Sequence, residues 1–191
     1  MILAHRRRMY RLLSLACFAA AVVILAAVGL PERLDYTQLS VVNGQRIAAE
    51  IGAFAPPLDL TDMDGQAVKF TPDNHGGTVT VINFWATWCA PCEAEMPALQ
   101  RLSERYKERG LRVIGVNLGD SIHAVRQWSD RLGLSFTLAL DPSGRAAADY
   151  RLRGQPTTVI VAADGRIASI IYGPADLAAL ERFITPLLTE G

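Results

Sequence analysis

The chain has little of what small secreted scaffolds and nucleic-acid binders depend on. Only three of its 191 residues are cysteine. That is too few for a disulfide framework, so their spacing matters more than their number. There is no charge excess either: 19 basic residues face 19 acidic ones. This removes the nucleic-acid binder that works through a positive surplus. Charged residues make up 20 % and hydrophobic residues 50 %, the reverse of a disordered composition. No internal repeat or low-complexity run follows residue 30. A chain of this length predicts one domain, with a core that needs no metal or disulfide staples.

One feature is in excess, an apolar run from Leu12 to Leu30 broken only by Ser14 and Gly29. As a helix it covers roughly 28 Å, close to the hydrocarbon thickness of a bilayer. Arg6, Arg7, Arg8 and Arg11 precede it, with no acid among the first eleven residues. That bias predicts a single-pass anchor in the cytoplasmic (inner) membrane, amino terminus inside, with the remainder on the extracytoplasmic, periplasmic side. The alternative is a cleaved signal peptide. The run exceeds the roughly 7–15 apolar residues of such a segment, and Ala27-Val28-Gly29 is a poor cleavage site. The expected organisation is therefore a basic arm at 1–11, a transmembrane segment at 12–30, a juxtamembrane linker at 31–49 and a domain at 50–191. Cys17, inside the run, reads as an inert small apolar residue.

Beyond the linker the patterns are regular. Leu58-Asp59-Leu60 and Val68-Lys69-Phe70 alternate around Asp64-Gly65 and predict a hairpin. Val79 to Trp85 is nearly all apolar and rich in β-branched residues, as in a strand buried on both faces. Met96, Leu99, Leu102 and Tyr106 lie at helical spacing and predict a helix over 91–109, closed by Gly110. A strand at 111–118 follows, then a helix capped by Ser121 and ended by Gly133. Residues 136–140 predict a short strand and 146–152 a short helix. Residues 158–162 and 167–172 flank Asp164-Gly165 as an antiparallel hairpin. A final helix starts near Ala175, with Leu177, Leu180, Ile184 and Leu187 on one face. A βαβ unit followed by ββα implies an α/β fold, a mixed sheet with helices on both faces.

The chemistry sits in Trp88-Cys89-Ala90-Pro91-Cys92. Two cysteines two residues apart follow a buried strand and open a helix. The unpaired N–H groups and partial positive charge of that helix end favour a thiolate on Cys89. Cys89 would attack a substrate disulfide, and Cys92 would resolve the mixed disulfide. Pro91 has no N–H to lose in the first turn and restricts the dipeptide between the sulfurs. Half of a zinc site is the competing reading. It lacks ligands: only Cys17, His5, His75 and His123 remain, with no second pair. No metal is expected.

The stretch from Val81 to Pro97 resembles the active-site stretch of membrane-anchored thioredoxin-like proteins of the TlpA/ResA group. Ala55-Pro56-Pro57-Leu58-Asp59-Leu60, Asp64-Gly65 and Gly154-Gln155-Pro156-Thr157-Thr158 fall where that group has its opening strand, hairpin turn and substrate loop. The resemblance runs from about Ile51 to the end. It implies a thioredoxin fold with an amino-terminal hairpin extension and a central insertion at roughly 121–140. It implies a cis-proline at Pro156 facing the cysteines, with the backbone of Gln155 free to pair with a substrate strand. Pro97 matches a helix kink. Asn83 stands where thioredoxin has a buried aspartate, and an amide cannot act as a base. Glu95 matches an acidic residue that would tune the thiols and relay a proton to Cys92. Trp88 would meet substrates, Trp85 would lie in the core, Glu93 would be solvated, and His75 and His123 would be loop or surface residues.

The resemblance implies a thiol–disulfide oxidoreductase, mainly a reductant, with no cofactor beyond the Cys89–Cys92 disulfide. Its partners would be protein disulfide clients, such as the CxxCH cysteines of apocytochrome c, and a membrane thiol electron donor. Alternatives keep the chemistry and change the client to copper-site cysteines or general disulfide repair and isomerisation. A copper chaperone on the same fold is a different class; its relatives use a three-residue cysteine spacing, where this chain has two. A peroxidase fits poorly, because the spacing of Thr87 and Cys89 differs from that of peroxiredoxins.

Overall fold

The computed structural model describes residues 41–42, 45–73 and 76–188. The predicted anchor at 12–30, the basic arm, His75 and most of the linker lie outside the described residues. No helix among the described residues is long and apolar enough to cross a membrane.

Seven strands form one mixed sheet. They are β1 (Leu58–Asp62), β2 (Ala67–Phe70), β3 (Val79–Trp85), β4 (Leu111–Asn117), β5 (Thr137–Leu140), β6 (Thr157–Val161) and β7 (Ile167–Tyr172). Their order across the sheet is β2-β1-β5-β4-β3-β6-β7. β3, β4 and β5 run parallel, and the two outer hairpins are antiparallel. Parallel neighbours need crossovers. These are supplied by α1 (Ala90–Tyr106) and α2 (Ile122–Leu132), while α3 (Arg145–Asp149) and α4 (Leu177–Ile184) follow β5 and β7. The expected central insertion is thus α2 and β5, and β5 joins the opening hairpin to the central strands through its pairing with β1.

The two-residue period of β3 sorts its side chains between two apolar layers. Val79, Val81 and Trp85 pack with Met96, Leu99 and Leu102 of α1, Val125 and Trp128 of α2, and Leu180 and Ile184 of α4. Ile82 and Phe84 face the other way, toward Leu58, Phe70, Ala146 and Tyr150. The sheet is therefore covered on both faces, as expected. Asn83 shares the face of Val81 and Trp85, so the same alternation aims an amide under α1.

Local chemistry ends the helices near where the sequence predicts. Ser121 caps α2 by accepting the Ala124 N–H at 3.2 Å, and Gly133 closes it at φ +62°, a conformation that costs a residue without Cβ little. Asp176 caps α4 through the Ala179 N–H at 2.7 Å, and Thr185–Leu187 continue as a 3₁₀ turn carrying Pro186. α1 stops three residues short of the predicted end, because Lys107–Arg109 tighten into a 3₁₀ turn before Gly110. Pro97 lies within α1.

Candidate active site

The cysteine pair is positioned by the C-terminal end of β3 and the start of α1. Cys89 is the N-cap of α1, with extended backbone at φ −94° and ψ 96°. Its Sγ accepts the Cys92 N–H at 3.3 Å; the same amide also donates to the Cys89 carbonyl at 3.0 Å, so a donor of the helix end is shared between that oxygen and the sulfur. Pro91 occupies the first turn, where its missing N–H costs nothing. Cys89 and Cys92 form a disulfide with an S–S distance of 2.05 Å. Both are buried, Cys92 completely and Cys89 to 6 % exposure; the residual exposure belongs to the residue expected to be the nucleophile.

Glu95, one turn beyond Cys92, is 2 % exposed. Its Oε1 accepts the Asn83 amide at 2.9 Å and the Thr158 hydroxyl at 2.9 Å. Asn83 also donates to Thr158 Oγ1 at 2.9 Å. Three buried polar groups from α1, β3 and β6 thus close a triangle, and β-register decides it, since Asn83 pairs directly with Thr158. Oε2 has no hydrogen-bond partner among the described residues. Burial pushes the Glu95 carboxyl up to about 7, against weaker lowering by the Thr158 hydroxyl and the Ala175 backbone; no hydrogen bond to Ala175 forms. An ionised carboxylate is disfavoured there because desolvation penalises the charge. A cavity of about 350 Å³, lined by Ala94, Glu95, Ala98, Arg101 and Asp176, reaches the carboxyl between α1 and the start of α4. A group that titrates near neutrality, one turn from a thiol, can take and return a proton.

Trp88 is 71 % exposed, whereas Trp85 is fully buried and stacks on Trp128 at 4.3 Å between centroids. The Gln155–Pro156 peptide is cis. Phe84 pairs with Thr157, so Pro156 lies level with Trp85, beside the turn that carries Cys89. Glu93 is not simply solvated: Arg131 of α2 grips it with two hydrogen bonds, 2.7 and 3.0 Å. That guanidinium holds the carboxyl below its ordinary value and ties the start of α1 to α2. His123 is on the surface. Among the described residues no group of three His, Cys, Asp or Glu could hold a metal ion.

Two residues escaped the sequence reading. Thr158 read only as a strand residue; its role in the triangle needs the β3–β6 register, which no local pattern reveals. Asp120 is the other. Its Oδ2 accepts the Thr87 N–H at 2.7 Å and the Asn117 amide at 2.8 Å, and its own N–H donates to Asn117 Oδ1 at 3.0 Å. This clamp joins the end of β4 to the turn before Cys89. Its one sequence signal is the Asn-x-x-Asp spacing at a strand end.

Comparison with known proteins agrees with this geometry. The AhpC/TSA family profile matches residues 51–170. The chain is similar to the thiol–disulfide oxidoreductase ResA of Geobacillus kaustophilus, 31 % identical over 166 residues, covering 87 % of this chain and 91 % of the relative. It is also similar to ResA of Halalkalibacterium halodurans, 32 % identical over 157 residues, 82 % and 88 % of the two chains. A crystal structure of a candidate thiol:disulfide interchange protein DsbE from Chlorobium tepidum superposes with a TM-score of 0.67. It is 30 % identical and covers 73 % of this chain and 99 % of that one.

Proposed function

The chain belongs to the AhpC/TSA family and has the fold and disulfide of a thioredoxin-like thiol–disulfide oxidoreductase; from that premise we propose that it works outside the cytoplasm as a reductant of protein disulfides. The observation that carries this reading is the cysteine pair at the start of α1, with the Cys92 N–H on Cys89 Sγ and the Glu95 carboxyl one turn below. In the dithiol form the Cys89 thiolate attacks one sulfur of a client disulfide. The client S–S bond breaks, a Cys89–client bond forms, and one client thiolate leaves. Cys92 then gives its proton to Glu95 and attacks Cys89 Sγ. The second client thiolate leaves and the Cys89–Cys92 disulfide forms. Two electrons have passed to the client; one of its thiolates takes the proton held on Glu95 and the other takes one from solvent, equal to the proton Cys89 lost on ionising, and a membrane thiol donor restores the dithiol.

The client proposed is the oxidised CxxCH pair of an apocytochrome c, on the ground of the resemblance to the TlpA/ResA group. The apolar run at 12–30 and its arginines support an anchored protein with this domain on the extracytoplasmic side. Trapping tests the scheme. Cys92→Ser should accumulate a mixed disulfide on Cys89, with a CxxCH protein as its partner by mass. Capture by Cys89→Ser instead would reverse the nucleophile assignment. Normal c-type cytochromes in a deletion strain would reject the client while leaving the reductase. Equilibration with glutathione tests direction. A potential near the thioredoxin value of about −270 mV is expected, and one near the roughly −120 mV of strong oxidants would overturn the reductant reading.

A further inference from the structure

Beside the cis-proline loop lies a groove of about 300 Å³ walled by Arg153, Gln155, Pro156, Tyr172 and Gly173. Its floor is held from within. The Thr157 hydroxyl donates to the Gly154 carbonyl at 2.7 Å, and the Gly173 N–H donates to the Pro156 carbonyl at 2.9 Å. The backbone N–H and C=O of Gln155 have no backbone partner among the described residues. They are open to an added extended segment. One wall is the Tyr172 ring, 59 % exposed. The one side chain of fixed charge lining the groove is Arg153, which is exposed and makes no ion pair among the described residues. Arg151 is paired with Glu50, and Arg105, Arg126 and Arg131 are each held by a carboxylate. No acidic side chain lines this groove.

We propose that this groove selects client segments with an acidic residue beside the reacting cysteine, Arg153 supplying the complementary charge and Tyr172 an apolar wall. The proposal rests on the disulfide-reductase reading above and names its substrate class. An extended client pairs its backbone with Gln155. Its side chains alternate, one set toward the aromatic wall and the other toward solvent and the guanidinium. A carboxylate meeting an arginine fork gains a charge-assisted hydrogen bond that a lysine cannot make and that an amide makes more weakly. A like charge at the same place is repelled, so Arg153 discriminates in both directions.

The test uses the full chain in its dithiol form and three peptides. Each holds one oxidised CxxC loop and differs only in carrying Glu, Gln or Lys beside the first cysteine. The expected order of kcat/KM is Glu above Gln above Lys, with about three- to tenfold between the extremes at low salt and less at high salt. Arg153→Gln should flatten the order and Arg153→Glu should invert it. Arg182→Gln, an exposed arginine on α4, should leave it intact. Equal rates for the three peptides, or an order that survives Arg153→Glu, would overturn the proposal. Failure of the underlying reading looks different: no peptide is reduced, or Cys89→Ser reduces them all, and the proposal falls with it.

Discussion

Replacing Glu95 by glutamine should make the oxidised protein more stable above neutral pH and remove a pH dependence that the wild type carries. The Glu95 carboxyl stands at about 7 in the fold against an ordinary 4.5. Between those values the folded protein holds a proton that the unfolded chain releases, so stability falls as pH rises. The contribution is complete below pH 4.5, is lost progressively up to about pH 7 and is flat beyond. At roughly 1.36 kcal/mol per pH unit the loss is about 3 kcal/mol, a shift of order a hundredfold in the unfolding equilibrium. Glutamine keeps an oxygen to accept from Asn83 and Thr158 and carries no charge to desolvate. Cys89 and Cys92 are joined and do not titrate, and His123 is common to both proteins. The difference between the two stability curves therefore isolates Glu95. The assay is urea unfolding of the full chain in detergent micelles from pH 4.5 to 8. Intrinsic fluorescence suits it, because the three tryptophans at 85, 88 and 128 all belong to the domain. The wild-type curve should fall relative to Glu95→Gln and then run parallel above pH 7. Parallel curves throughout would refute the buried, neutral carboxyl.

Thr158→Val removes the hydroxyl that lowers the Glu95 carboxyl, so the pH at which stability is lost should move upward in the same unfolding assay. Asp120→Ala leaves the Thr87 N–H unpartnered and should slow client reduction several-fold, while Asp120→Asn, which can still accept that bond, should largely restore it; stopped-flow kinetics decides. Gly165→Ala should destabilise by about 2 kcal/mol or more, because its Cβ would fall 1.9 Å from the Pro72 carbonyl oxygen at φ +85°; thermal unfolding measures it.

Much of the fold is legible in local pattern. Residues 79–85 announce a central strand because both faces are apolar, and the structure buries all seven. Ser121, Gly133 and the Asp164-Gly165 turn act through their own backbones, so their effects need no distant partner. The end of α1 is not legible, because the apolar spacing of Met96 to Tyr106 says nothing about whether the last turn is α or 3₁₀. Local pattern leaves Glu93 solvated because its partner, Arg131, lies 38 residues away on another helix.

The cysteine spacing, the helix that follows it and the apolar strand that precedes it are local facts. From them alone comes the redox chemistry of the pair. Only the tertiary structure decides the setting of that chemistry. Asn83, Glu95 and Thr158 stand 12 and 63 residues apart along the chain and meet because β3 pairs with β6 while α1 lies across both. Asp120 reaches Thr87 for a similar reason, and Arg153 joins Tyr172 in one groove. Hydrogen bonding and desolvation depend on distance in space, and a strand pairing can bring any two positions to within 3 Å.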